Sequence, residues 1–266
     1  MSGTHRHTWQ QHRVGHLNIT VQLDSAAEST SLDRHKGQAD VARQLITTMD
    51  AERLPTTWAV SDPAHSAATA LIVKSAIDHE LAVLGDTNWV GPTAGRTRFA
   101  RELARRLAQA RAAGLQVTTL MPCVANVESD MDLIVKLQIT ALVGLATSLI
   151  PRQTAGPQAL HYGVWEVPLS ASLPMKTSWF TNGKRTLSRR IERTVAEAGG
   201  FHLLIDAGAI AASKRHDAAV AKWLLRRIAI LRDRGLLQVE TMRATANRLS
   251  DVPSVSPQRS ILRGAA

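Results

Sequence analysis

Three aspartates, Asp24, Asp86 and Asp206, each follow a short apolar run and precede a stretch that leads into a helix. A carboxylate at such a junction can bind magnesium, or can serve as half of a glycosidic acid–base pair if a second carboxylate converges on it. It can also cap the helix or shape the turn, because a short acidic side chain accepts from nearby backbone N–H groups. Other residues with chemical potential stand at the same kind of junction. Ser25 follows Asp24, Asn88 and Trp89 come shortly after Asp86, and Cys123 follows Pro122. Cys123 is the only cysteine, and no histidine is placed to draw off its proton, so it reads as an inert thiol. Trp58, Trp89, Trp165 and Trp179 offer flat apolar faces on which sugar rings could stack, although Trp58 and Trp165 lie inside apolar runs and read first as core. His5, His7, His12 and His16 cluster near the N-terminus without a compact zinc spacing, and a flexible tail is a poorly preorganised site. Histidine is absent from every strand-end junction.

What must position these residues is an alternation of short apolar runs with longer amphipathic segments. LNITVQL, TTWAV, ELAVLG, LQVTTLMP, ALVGLA, LHYGVWEVPLS, FHLLIDAG and LQVETM read as strands. QADVARQLITTMDAERL, PAHSAATALIVKSAID, ESDMDLIVKLQI, LSRRIERTVAEAGG and AAVAKWLLRRIAILRDRG read as helices. Pro63 suits a first helical turn, and Gly114 the end of the helix in RTRFARELARRLAQARAAG. In that helix Phe99, Leu103, Leu107 and Ala110 form the expected buried stripe, with Arg98, Arg101 and Arg105 on a solvated one. Seven or eight strand–helix units, without an internal repeat or a dividing linker, predict one α/β domain with a parallel sheet. Periodicity leaves open whether it closes into a barrel or stays open and doubly wound. Either way, functional residues belong where strands end and the next loops begin. His79 and His202 stand at the starts of their strands and read as structural.

With 266 residues, 44% of them hydrophobic, the chain can bury a large core. Composition predicts a polar His/Arg-rich tail at 1–16, a folded body at 17–250 and a loosely packed Ser/Pro-rich tail at 251–266. A single cysteine excludes an intramolecular disulfide framework, no apolar run is long enough to span a bilayer, and the N-terminus lacks a signal-peptide centre. A cytoplasmic protein is the expectation. The formal charge of +10 raises nucleic acid as a partner, but the cations are spread over several helices without interleaved aromatics, which reads as solvated surface.

The order of these segments resembles the polysaccharide deacetylase family, carbohydrate esterase family 4, also called the chitooligosaccharide deacetylase homology domain. VQLDSA stands where that family has a first strand ending in Thr-Phe-Asp-Asp-Gly, and PTTWAV looks like its second strand. HELAVLGDTNW is similar to the segment that begins His-Glu-Ile and leads to His-(Ser/Thr)-x-x-His. VTTLMPCVAN occupies the place of Arg-Pro-Pro-Tyr-Gly, YGVWEVPLS resembles the family's Glu-Val-Pro strand, and FHLLIDAG the strand bearing a late histidine. The resemblance covers roughly residues 17–250 and rests on order and spacing, with no single motif intact. It implies the family's distorted seven-stranded (β/α) barrel.

The family uses two adjacent aspartates, as general base and as metal ligand; the resemblance leaves only Asp24, between Leu23 and Ser25. The two histidine ligands fall on Leu84 and Asn88, the Arg-Pro-Pro motif on Leu120, Met121 and Pro122, and the late general acid on Ile205. The chemistry implied is amide hydrolysis through a divalent metal such as zinc, which polarises the carbonyl and activates water. Leucine cannot ligate and an asparagine carbonyl is a weak zinc partner, so no cofactor is expected. What the resemblance implies is therefore a pseudoenzyme, a carbohydrate-binding or scaffold protein with a carbohydrate or protein partner. Its pocket candidates are Asp24, Ser25, Asp86, Asn88, Trp89, Cys123 and Asp206. The alternative is a divergent carbohydrate hydrolase, metal- or carboxylate-dependent, that relocates its site to Asp24, Asp86 and Asp206; it requires those three to converge within about 6 Å.

Overall fold

In chain order the elements are β1 (Gly15–Gln22), α1 (Leu32–Ala51), β2 (Thr57–Val60), α2 (Ala67–Lys74), β3 (Glu80–Leu84), α3 (Arg96–Ala112), β4 (Thr119–Met121), α4 (Met131–Lys136), β5 (Ala141–Gly144), β6 (Gln158–Ala159), β7 (Trp165–Pro168), β8 (Ala171–Leu173), α5 (Gly183–Ala196), β9 (Gly200–Asp206), α6 (Ala207–Ala212), α7 (His216–Asp233), β10 (Leu237–Glu240) and α8 (Met242–Asp251). They belong to a computed structural model that describes residues 14–23, 32–64, 66–91, 93–123, 127–144, 156–174, 183–213 and 216–251.

The strands form one sheet in the order β6-β7-β5-β4-β3-β2-β1-β9-β8, and β10 pairs the first half of β1. Every pair is parallel except β6 on β7. The sheet curls. β7 and β8 sit towards opposite ends of this order, yet only Leu169 and Ser170 separate them along the chain. Those two residues donate their N–H groups to opposite sides, Leu169 to the Gly144 carbonyl at 3.2 Å and Ser170 to the His202 carbonyl at 2.9 Å. The result is a half-barrel of the β/α type. The expected count of seven strands is corrected: among the described residues nine lie on the path and β10 stands beside it. The excess arises because the segment Trp165–Leu173 changes partner midway and is divided in two, and because β6 and β10 add short pairings at the margins.

Alternation along each strand separates two cores. Leu17, Ile19, Val21, Trp58, Leu81, Val83, Leu120, Leu142, Leu203 and Ile205 face outward into one large core shared with the helices. On the concave face Ala59, Ala82, Leu84, Met121, Ala141, Val143, Val167 and Leu204 form a smaller core with Met242 and Ala246 of α8. That helix plugs the curled sheet, and alanines on three strands leave room for it.

Local details differ from the sequence expectation for physical reasons. Gly15 and His16, assigned to the tail by composition, pair in register with Leu237 and Gln238. Pro63 precedes α2 instead of opening it; Ser66 is the cap, its hydroxyl accepting from Ala68 N at 3.2 Å. In α3 the buried residues are Phe99, Leu103, Arg106 and Ala110, so an arginine takes the place expected for Leu107.

Candidate functional site

The C-terminal rim of the strands is built around the turn that follows β3. Gly85 lies so close under it that a Cβ would stand 2.6 Å from Val90 Cγ2. Asp86 then folds the chain over: its carboxylate accepts from Asn88 N at 2.7 Å, and its carbonyl accepts from Trp89 N and Val90 N at 3.2 and 2.8 Å. This turn sends Asn88 to solvent and Trp89 inward, where it is 2% exposed and packs on Phe99 with ring centroids 5.8 Å apart. Arg106 explains the unexpected stripe on α3. Its guanidinium lies 4.6 Å from the Trp89 ring centroid, donates to the Ser61 carbonyl at 2.7 Å and to Glu102 at 2.7 Å, and stands 3.9 Å from Asp86. Arg106, with help from Arg105, holds the Glu102 carboxyl below its usual range. One cation thus ties the ends of β2 and β3 to the helix, a role its position in an Arg-rich helix concealed.

The other rim residues are similarly occupied. Asp206 caps α6, accepting from Ala209 N at 2.9 Å. Cys123 is half-buried with its Sγ 3.8 Å from the Val90 carbonyl, and burial, aided by the charge of Asp86, pushes its thiol up and away from the reactive thiolate. Leu84 is 4% exposed on the concave face. Ile205 and Leu120 point the other way, into the helix-facing core, and Leu204 is the neighbour of Ile205 that faces the barrel. Trp58 is buried and meets His79 edge-on at 6.1 Å, and Trp165 donates its indole N–H to Ser250 at 3.0 Å. Asp24, Ser25, Trp179, His5, His7 and His12 lie outside the described residues. Among the described residues no three His, Cys, Asp or Glu side chains are grouped to hold a metal ion.

The opposite, N-terminal end of the concave face is polar. Glu80 is 1% exposed, and its carboxylate accepts from the hydroxyls of Thr57, at 3.0 Å, and Thr119, and from Arg243 N in the first turn of α8 at 2.8 Å. Thr57 in turn accepts from Met242 N at 2.9 Å. Burial pushes the Glu80 carboxyl up, against the pull of these donors. On β9, buried His202 lies 2.8 Å from the Thr20 hydroxyl through Nε2 and 3.2 Å from the Val167 carbonyl through Nδ1. A carbonyl can only accept, so Nδ1 donates and Nε2 accepts from Thr20. Burial lowers this imidazole to about 4, only partly offset by the Val167 bond. Next to it, Glu240 pairs with Arg248 at 3.0 Å and accepts from Thr245 at 3.0 Å, with His16 at 3.5 Å. Burial alone would raise Glu240, but His16, Arg248 and Thr245 together bring it down to about 2. A cavity of about 170 Å³ opens here, lined in part by His16, Asn18, Ser170, His202 and Arg248.

His79, ahead of β3, is buried at this same end and pairs through Nε2 with Asp50 at 2.9 Å, a carboxylate also held by Ser75 at 2.7 Å. Glu80 and Arg106 were not singled out by sequence, whereas Glu240 stands at a strand end, where functional residues are expected. For Glu80 a signal existed: Thr57, Glu80 and Thr119 each open a strand and stand two residues before a concave-face residue, Ala59, Ala82 or Met121.

No family model matches the sequence, and no curated protein matches it. Solved structures share its fold. A Mycobacterium smegmatis protein named as a polysaccharide deacetylase superposes with a TM-score of 0.64 at 15% identity, over 91% of this chain and 92% of that one. The 4-alpha-glucanotransferase of Thermococcus litoralis follows at 0.60 and 10% identity, over 91% of this chain and 41% of its own. A Bacteroides thetaiotaomicron protein named as a hydrolase reaches 0.51 at 10% identity, over 89% and 44%. The chain spans less than half of the latter two. At these identities the likeness is one of fold, polysaccharide-deacetylase-like and of the β/α barrel type.

Proposed function

We propose that this polysaccharide-deacetylase-like barrel is a pseudoenzyme, one that binds a carbohydrate or a protein partner and does not carry out the metal-dependent hydrolysis that its resemblance implies. One observation supports the reading above all. Leu84, where the resemblance calls for an imidazole, is packed with Met121 and Val143 on the concave face. Asn88, where it calls for the second, is exposed on a turn that Asp86 holds. This donor set does not fit zinc, which needs three protein ligands of nitrogen, sulfur or carboxylate type. The hydrolase alternative gains nothing from Asp86 and Asp206, because each carboxylate is engaged by local backbone N–H groups. Carbohydrate is the favoured ligand class, since the names of the Mycobacterium smegmatis and Thermococcus litoralis proteins both refer to carbohydrate substrates. A lone thiol accords with a cytoplasmic location.

The test is metal analysis of the purified chain after dialysis against zinc, with an acetate-release assay on N-acetylglucosamine oligomers in added zinc or cobalt. The expected result is no stoichiometric metal and no acetate. Chelator-sensitive acetate release would overturn the reading. Titration calorimetry with the same oligomers then separates a carbohydrate ligand from a protein partner.

A further inference from the structure

We propose that the paired helices α5 and α7 dock this protein peripherally on a lipid bilayer bearing anionic headgroups. Arg185, Arg189 and Arg193 occupy positions i, i+4 and i+8 of α5, and all three are exposed. They form one row about 12 Å long. None of the three enters an ion pair among the described residues. The helix carries five cations against a single carboxylate, Glu192, and that carboxylate is already held by Arg227 of α7 at 3.0 Å and by Ser188 at 3.0 Å. On α7, Lys222, Trp223, Arg226 and Ile230 are exposed. Trp223 and Ile230, seven residues apart, share one side of the helix and are 39% and 43% exposed. Lys184 of α5 places its Nζ 5.6 Å from the Trp223 ring. The two helices together therefore present an aromatic and an aliphatic group beside a row of cations. The neighbouring carboxylates are Asp217, Glu197 and Asp233 near the helix ends, and Glu52, just after α1, which holds Arg226 at 3.5 Å.

Charge complementarity selects an anionic occupant, and the apolar groups select which one. Arginines pair bidentately with headgroup phosphates, and each cation near an anionic leaflet adds to binding. An amphipathic indole settles at the interface between headgroups and acyl chains, and an exposed isoleucine gains by entering the same layer. Nucleic acid would use the arginines and the ring but would give Ile230 no apolar environment. Among the described residues no helix is long and apolar enough to cross a membrane, so the contact is with the surface.

The experiment is co-sedimentation of the full chain with phosphatidylcholine vesicles, with and without about 30 mol% phosphatidylglycerol, at about 0.1 M salt, beside titration of a fluorescent DNA duplex. Binding is expected only to the anionic vesicles, and should weaken as salt rises. The variant Arg185→Gln, Arg189→Gln, Arg193→Gln should partition roughly 100-fold more weakly, about fivefold per arginine. Ile230→Gln, a single exposed change that leaves the circular dichroism intact, should weaken vesicle binding several-fold. Absence of binding to anionic vesicles, or a triple variant that binds like the parent, overturns the proposal. So does duplex binding that needs the arginines but ignores Ile230 while vesicles stay unbound, because that result assigns the face to nucleic acid.

Discussion

The two ends of the concave face have opposite chemistry. At the C-terminal ends of the strands, Leu84, Met121 and Val143 are apolar, and the nearby carboxylates of Asp86 and Asp206 are spent on a turn and a helix cap. At the other end, Thr57, Glu80 and Thr119 open their strands, and with Asn18, Thr20, His202 and Glu240, the last residue of β10, they form a buried hydrogen-bonded floor. Parallel α/β folds ordinarily keep their chemistry at the first end and their stability at the second. Here the polar floor has a stability role that can be read directly: it receives the first N–H groups of α8, which would otherwise be buried without partners. The contrast therefore predicts large thermodynamic effects at the floor and small ones at the rim.

The largest effect is expected at Glu80. Glu80→Ala strands two threonine hydroxyls and the Arg243 N–H and opens a cavity, at a cost of about 3 kcal/mol read from the urea unfolding midpoint. Glu80→Gln is the sharper variant. Burial raises this carboxyl, so its stabilisation is complete below the unfolded-state value and is lost as pH rises through the raised folded value. A neutral amide should then cost less than half as much as alanine. Equal costs would mean that the carboxylate stays ionised.

Arg106 is the one rim residue expected to behave like the floor. Its side chain is 9% exposed and it bridges Ser61, Glu102 and Trp89. Arg106→Ala should lower stability by about 2 kcal/mol, with Arg106→Lys recovering under half, because an ammonium cannot serve the carbonyl, the carboxylate and the ring face at once. Equal stability of Arg106→Lys and the parent would reduce its role to simple charge.

The sequence made the strand–helix alternation legible, because period-two and period-3.6 patterns follow from burial on one or two faces. It did not show how the sheet curls. The Trp165–Leu173 run is continuous in composition, and its change of partner at Leu169 and Ser170 depends on residues far along the chain. Arg106 was hidden for a related reason. In a helix dense with arginines, nothing local distinguishes the one whose guanidinium reaches the Ser61 carbonyl. At the site, residue type was legible but orientation was not. Ile205 and Leu204 are interchangeable aliphatics in a pattern reading, and only the register of β9 on β1 decides which faces the barrel.

The floor should also reveal itself through pH. The folded value of His202, about 4, lies below the ordinary imidazole value of 6.5. A depressed folded value means that this stabilisation is fully present above the unfolded value and is lost as pH falls towards the folded one. Urea unfolding should therefore show a loss of about 2 kcal/mol between pH 7 and pH 5. His202→Gln, which keeps a donor and an acceptor, should flatten that slope. Glu240 acts in the same direction but lower down, between its ordinary value of 4.5 and about 2, so only His202 contributes above pH 5. A slope unchanged in His202→Gln would place the proton uptake elsewhere.

The smallest effects belong to the rim carboxylates, and their sign decides between the two readings of the protein. Asp206→Ala removes the acceptor for Ala209 N, and Asp86→Ala the acceptor for Asn88 N. As caps, each should cost about 1 kcal/mol, while Asn88→Ala stays within about 0.5 kcal/mol. Carboxylates drawn together for hydrolysis repel one another, so losing one would stabilise the fold. The double variant adds a second criterion. Independent caps give additive losses within about 0.5 kcal/mol, whereas a shared acidic site gives a coupling larger than that. Stabilisation by either single change, together with such coupling, would restore the hydrolase and break the contrast between rim and floor.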